Sequence, residues 1–302
     1  MAWHAFPSGS IGLSGDVMKD FPAVIFLCLL LFTPEKSKAA ALQALRIWGL
    51  DLVPSLFPYM VLCQTLTHSL LRQKNQNTLF PFVLGLLGGS PSASAVLSLI
   101  AQNKTLNRQR LLLLAAMAGT ISPMFFLSLT SSWFNSFRFA ISLLFTQYAA
   151  ALLTGMLFYH FASDQQHPTE NTRPVSASEN NLDPLSSSIH AILSVGGYIV
   201  LFSTAAAYIP AGLSSVAHGL PQALHALLEV SGGLHALSNT VMNDIALETL
   251  VSGLCGFGGL SILNQNHLFL CKAGLRKSDL LALSICRAVF SILIYQLLRF
   301  IL

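Results

Sequence analysis

The sequence predicts an all-α polytopic membrane protein of two inverted repeats, each with a re-entrant hairpin and a broken helix, behind an N-terminal transmembrane helix. Composition is the first observation behind this. Hydrophobic residues make up 53% of the chain and charged residues 9%, against about 25% charged in a typical soluble domain. The charges are clumped, so long apolar runs remain, and a helix needs about 20 such residues to cross a bilayer. The second observation is that several runs are broken midway by glycine and serine. These are Gly88-Gly89-Ser90-Pro91-Ser92, Ser122-Pro123, Ser231-Gly232-Gly233 and Gly256-Phe257-Gly258-Gly259-Leu260-Ser261. Backbone groups freed at such breaks find no partner in hydrocarbon and must line an enclosed or watery site. Breaks at matching places in two halves point to a carrier-like site near the bilayer midplane.

Taken in order, residues 1–17 read as a disordered N-terminus and 18–33 as the N-terminal transmembrane helix. That run is short and carries Lys19, so a signal peptide is the alternative; Ser37-Lys38-Ala39 is a weak cleavage site and retention is expected. Met18 would serve as a start as well as Met1. The first repeat, 34–162, holds apolar runs at 47–71, 80–101, 111–130 and 139–161. At 163–187, Asp, Gln, Asn, Ser, Pro and Thr take over, as in a flexible polar cytoplasmic linker. The second repeat, 188–302, holds runs at 189–210, 220–240, 245–264 and 280–301. The halves match in pattern rather than identity, Gly88-Gly89 with Gly232-Gly233 and Ser122-Pro123 with 258–261.

Loop charges orient the repeats. Arg72 and Lys74 precede the 80–101 run and Lys104, Arg108 and Arg110 follow it, which by the positive-inside rule makes both flanks cytoplasmic. One crossing cannot achieve that, whereas a hairpin can: two arms of about 11 residues each reach roughly 16 Å, half the hydrocarbon thickness. Counting onward, 211–219 falls outside and Lys272, Arg276 and Lys277 inside, so the 220–240 hairpin enters from the opposite face. Residues 35–46 are expected as an outside loop, against the charges of Lys36 and Lys38.

Glu229, Glu248 and Arg287 lie inside apolar runs, where a charge costs about 2.5–3.5 kcal/mol and therefore pairs or lines a cavity. An ion pair of Arg287 with Glu248 or Glu229, and a role toward substrate or coupling ion, stand as equal alternatives. Asp51 reads as interfacial. Ser90, Ser92, Ser122, Ser231, Ser261, Asn264 and Gln265 lie at or beside the breaks. Half-helix N-termini there offer N–H groups to anionic or carbonyl-bearing ligands, and unwound carbonyls suit Na⁺ or protonated groups. Each serine alone reads as a helix–helix hydrogen bonder; two clusters on symmetric breaks read as a site. Trp48 and Trp133 fit interfacial anchoring. The five cysteines, at 28, 63, 255, 271 and 286, form no CxxC pair and read as small buried hydrophobes. His218, His225 and His235 belong to no HExxH, and neither GxxxxGK[ST] nor GxSxG is present, so no metal site, nucleotide motor or enzyme is predicted. The net charge of +4 resides in short loops and argues topology, with no nucleic-acid partner.

At these residues the chain resembles the YlbJ-type sporulation integral membrane proteins, of the wider nucleoside-recognition (Gate) domain group. The resemblance rests on Ile47-Trp48, Val53-Pro54-Ser55-Leu56-Phe57-Pro58, Gly88-Gly89-Ser90-Pro91, Ser122-Pro123, Leu227-Leu228-Glu229 and Gly256-Phe257-Gly258-Gly259-Leu260-Ser261, with Gln265 downstream. It runs from about residue 34 to 300. It implies a bacterial inner-membrane protein acting in sporulation, organised like concentrative nucleoside transporters, with Gly258, Gly259, Ser261 and Gln265 the first residues carried over to the site. The family's Gly-Tyr-Pro after the first hairpin glycines is replaced here by Gly89-Ser90-Pro91-Ser92, and its Asn before Ser-Pro by Gly119-Thr120-Ile121.

The expected function is a secondary transporter or exporter of a small polar solute, nucleoside-like in the family reading, using a coupling Na⁺ or H⁺. The expected site comprises Gly89, Ser90, Ser92, Ser122, Glu229, Ser231, Gly232, Gly258, Gly259, Ser261 and Gln265, with Glu248 and Arg287 behind it as an ion-coupling or structural pair. The alternative is a non-transporting scaffold or signalling component of the spore-forming membrane. A homo-oligomer is compatible with either.

Overall fold

The computed structural model of the chain describes residues 13–72, 79–103, 106–162 and 183–301. Residues 1–12, Lys74, Lys104 and linker positions 163–182 lie outside the described residues, as does the side chain of Arg72. The described chain is helical, with five helices long and apolar enough to cross a membrane.

Helix α1 (Leu13–Phe32) begins before Met18, so positions 13–17 are helical rather than part of a disordered tail. Helix α2 (Pro34–Arg46) passes through a π-helical turn at Ile47–Leu52 into α3 (Val53–Arg72). The loop expected at 35–46 is therefore helix. Pro34 suits a first turn, Glu35 complements its positive end, and Lys36, Lys38, Ala39, Ala40, Ala41 and Leu42 are all good helix formers. The Tyr208 hydroxyl joins this corner, 2.7 Å from Thr33 Oγ1 and 2.6 Å from Ser37 Oγ.

Helices α4 (Leu79–Leu87) and α5 (Ser90–Asn103) have 9 and 14 residues, about 14 and 21 Å, so neither crosses a 30 Å core alone. They fold back on each other where a β-carbon at Gly85 would stand 3.1 Å from Ala93 Cα. Helix α6 (Arg108–Ala118) stops at Gly119; helix resumes at Pro123 and runs through a π-helical turn at Phe125–Thr130 into α7 (Ser131–Trp133). Helix α8 (Phe137–Phe161) is a full crossing of 25 residues.

The order repeats after the linker. Helix α9 (Pro184–Ala206) is followed by the short pair α10 (Leu220–Leu228) and α11 (Val230–Ser238). Next come the broken pair α12 (Asp244–Phe257) and α13 (Gly259–Leu270), then α14 (Lys277–Ile301). The tip of this second hairpin is Glu229, not Gly232-Gly233. Gly233 instead lies where α11 crosses α10, and a β-carbon there would overlap the Ala226 backbone.

The two hairpins open toward opposite ends of α14. The first reaches the short turn at Cys271–Ala273, beside the 2.9 Å ion pair of Arg108 with Asp279 near the start of α14. The second opens beside Met242 and Trp133, whose ring lies 5.3 Å from His235. Phe134 and Phe139 then lead to Tyr295 near the end of α14.

Ile285, Val289, Leu293 and Leu297 form an exposed apolar stripe along α14, while Arg287 and Ser291 face inward. That reversal of soluble-protein polarity suits a lipid surround. Trp48 and Trp133 are packing residues rather than interfacial anchors. Trp48 donates to the Ile192 carbonyl at 3.1 Å with its ring against Gly196, and Trp133 lies 5.7 Å from Phe125. Of the free cysteines, Cys63 and Cys255 are buried as expected; Cys28 and Cys271 are exposed.

Candidate functional site

Each hairpin tip rests on the helix break of its own half. A β-carbon at Gly89 would stand 2.9 Å from Ser122 Cβ, and Ser122 Oγ donates to the Leu87 carbonyl at 3.3 Å. In the second half a β-carbon at Gly259 would stand 3.1 Å from the Ala226 carbonyl oxygen and 3.2 Å from Val230 N. Gly258 and Gly259 have φ of +84° and +79°; two successive left-handed residues suit glycine, which carries no β-carbon to clash.

Between the tips lies a small cavity. Gly89 and Ser90 line it from the first hairpin, Ser122 from the first break, Glu229 and Ser231 from the second hairpin, and Ser261 and Gln265 from α13. Leu56, Met60, Phe125, Val195 and Ile199 supply apolar wall. The free space is about 50 Å³, a few water molecules where one needs about 10–15 Å³. A larger groove lies elsewhere, on the apolar outer side between α10, α12 and α14.

Glu229 ends α10 in extended conformation and caps α11. Its Oε1 accepts from Ser231 N at 2.8 Å and its Oε2 from Gly232 N at 2.6 Å. It is 1% exposed, and Ser203 Oγ donates to Oε2 at 3.5 Å. Two first-turn N–H groups and the positive helix end stabilise the charge. Ser261 Oγ is buried with no partner among the described residues. Buried polar atoms are nearly always bonded, so an orphan beside a cavity marks where a ligand or water belongs. Ser122, by contrast, is already bonded to its own helix and to the hairpin.

The remaining expected residues stand behind this surface. Ser92 is fully buried beneath the first tip, its Oγ unpartnered among the described residues. Gly232 gives Glu229 its N–H, while Gly258 and Gly259 form the turn into α13. Asn264 turns back on its own helix, donating to the Leu260 carbonyl at 2.8 Å. Sequence reasoning missed Asn266, whose Oδ1 accepts from both Ser90 and Ser94 at 2.8 Å and so ties the first hairpin to α13. Its position in the same apolar run as Gln265 was the available signal. Ser203 and His225, beside Glu229, were not assigned to the site either.

Glu248 and Arg287 are not a pair. Helices α12 and α14 are antiparallel with Ser252 opposite Ser291. This register places Glu248 at Tyr295, whose hydroxyl donates to it at 3.0 Å, and 3.6 Å from Arg299. Arg287 lies two turns away, about 12 Å along the helix. There its Nη1 donates to the Ala116 carbonyl at 2.9 Å, Nε to the Gly256 carbonyl at 3.2 Å, and Nη2 to Ser284 Oγ at 3.0 Å. The absence of a side chain at Gly119 admits the guanidinium, which a β-carbon there would overlap.

The chain is similar to the Sporulation integral membrane protein YlbJ of Bacillus subtilis (strain 168), 21% identical over 318 aligned positions covering 88% of this chain and 78% of that protein. The resemblance to the YlbJ-type proteins is borne out. No protein-family model and no solved structure matches the chain. A YlbJ-type relationship over nearly the whole length agrees with an integral, multi-pass membrane protein.

Proposed function

We propose that this chain is a secondary transporter or exporter of a small polar solute in the bacterial inner membrane, acting in sporulation as the name of its Bacillus relative suggests. The observation that carries this is the convergence of both hairpin tips and both helix breaks on one cavity. There the buried Ser261 hydroxyl has no partner among the described residues, and Gln265 faces the space. Hairpins opening toward opposite ends support the inverted-repeat reading, in which the site is reached alternately from either side. A nucleoside-like solute is what the resemblance to the Gate group implies. The 50 Å³ of free space then belongs to an occluded state, and a solute enters only when a hairpin swings away from the break beneath it.

The small volume also gives a specific footing to the second reading, a scaffold or signalling component that keeps the fold without carrying anything. The two are separated by thermal unfolding of the purified protein with nucleosides, nucleobases, amino acids and small dicarboxylates. A ligand at 100 times its Kd adds about 2.7 kcal/mol. A saturable shift that Gln265→Ala or Glu229→Gln abolishes supports transport. Silence from every class, in folded protein, favours the scaffold.

A further inference from the structure

We propose that the exchangeable cation of this protein is a proton carried on Glu229, and that Arg287 permanently fills the place at the crossed helix breaks where a carrier would otherwise hold a metal cation. The proposal rests on the carrier reading above and names its coupling ion.

The first half of the argument is the fate of the half-helix C-termini. In broken-helix carriers, such carbonyls coordinate the coupling cation. Helices α6 and α12 both end at the crossing, and each C-terminus presents about half a negative charge. Together these offset the single charge of one guanidinium, which explains how Arg287 can be 3% exposed while Glu248 is engaged elsewhere. All three guanidinium nitrogens are bonded, two of them to the Ala116 and Gly256 carbonyls. A guanidinium stays charged and cannot leave its chain. The cation position is thus occupied in every state that keeps these bonds.

The second half is that, among the described residues, Glu229 is the single ionisable one lining the cavity. Ser203 of α9 and His225 of α10 stand beside it, and Ser261 and Gln265 of α13 and Ser90 of α5 line the same cavity. His225 is the only titratable one of these. A β-carbon at Gly232 would stand 3.0 Å from its Nε2 and 3.1 Å from Glu229 Oε2, and that nitrogen is buried without a partner among the described residues. The other described titratable groups on neighbouring elements, among them Asp51, Tyr59, Cys63, His190, Tyr198, His235, Asp244, Glu248, Cys255 and His267, do not line the cavity. The carboxylate is provided for in both charge states. Ionised, it accepts from Ser231 N, Gly232 N and Ser203 Oγ. With a proton on Oε2, the Ser203 hydroxyl, 3.5 Å away, rotates to accept. A structural cap needs only the first set; a proton site needs both.

Two measurements test this, and neither needs an identified solute. Infrared difference spectra of the protein in lipid nanodiscs should show a carboxylic-acid band titrating within the pH range of the folded state and absent from Glu229→Gln. No such band, or one unchanged in that variant, overturns the proton site. The unfolding temperature should be the same in sodium, potassium and choline chloride. A saturable sodium-specific rise that Ser261→Ala removes also overturns it. For the arginine, Arg287→Ala should unfold at lower temperature and be partly restored by millimolar guanidinium but not by choline. Indifference to guanidinium refutes the fixed-cation role. If that variant does not fold, Arg287→Lys, which keeps the cation, should unfold at a higher temperature than Arg287→Gln, which removes it; no difference between the two refutes the role equally. A solute screen that fails while the Glu229 band titrates sinks the carrier and leaves the proton site, and the reverse pattern sinks the proton site alone.

Discussion

Two polar centres lie buried in this bundle, and they differ in how well their groups are satisfied. At the crossing of the breaks, Arg287 uses all its nitrogens within 3.2 Å of fixed acceptors. At the cavity between the hairpin tips, Ser261 Oγ has no partner among the described residues and Gln265 borders free space. Saturated polar groups hold helices in place, and unsaturated ones beside a void await something from outside. The same kind of sequence signal, a polar residue in an apolar run, thus leads in one case to a saturated cluster and in the other to a hydroxyl left unpartnered beside free space.

That contrast can be broken by substitution. The largest loss of stability is expected for Arg287→Met, which strands the Ala116 and Gly256 carbonyls: about 2–6 kcal/mol for two buried acceptors left without a donor, read as a lowered unfolding temperature in detergent. Gly233→Leu should follow, since its side chain would drive α11 off the Ala226 backbone, with about 1–3 kcal/mol lost or more and faster hydrogen exchange in α10 and α11. Asn266→Ala leaves the Ser90 and Ser94 hydroxyls unpaired and should cost about 1–3 kcal/mol, loosening the first hairpin to limited proteolysis. The smallest effect on stability is expected for Ser261→Ala, near zero because it removes an orphan rather than a bond. A stability loss there as large as that of Asn266→Ala would erase the distinction between the two centres. Ser261→Ala should, however, weaken binding of any solute found in the screen about tenfold or more, as loss of one buried hydrogen bond does.

Much of this was legible before any coordinates. Low charge and long apolar runs required a helical membrane protein, because hydrocarbon leaves unpaired backbone groups no alternative. The glycine and serine breaks in matching runs located seven of the cavity-lining residues: Gly89, Ser90, Ser122, Glu229, Ser231, Ser261 and Gln265. Trp48, placed at an interface by its position near a run end, packs instead on Gly196, since nothing in a linear pattern shows which residue lies opposite.

What the sequence determined alone was therefore local: where helices form, where they must break, and which polar residues sit at the breaks. Only the tertiary structure decided partners. The antiparallel register of α12 on α14 sends Glu248 to Tyr295 and Arg287 to the carbonyls of two different half-helices. A one-residue tip at Glu229 moves the break away from Gly232 and Gly233 and leaves them where α11 packs on α10. The physical reason is that breaks follow from backbone chemistry written residue by residue, whereas pairing depends on which surfaces are brought within about 3 Å, and contacts across 170 residues leave no local trace.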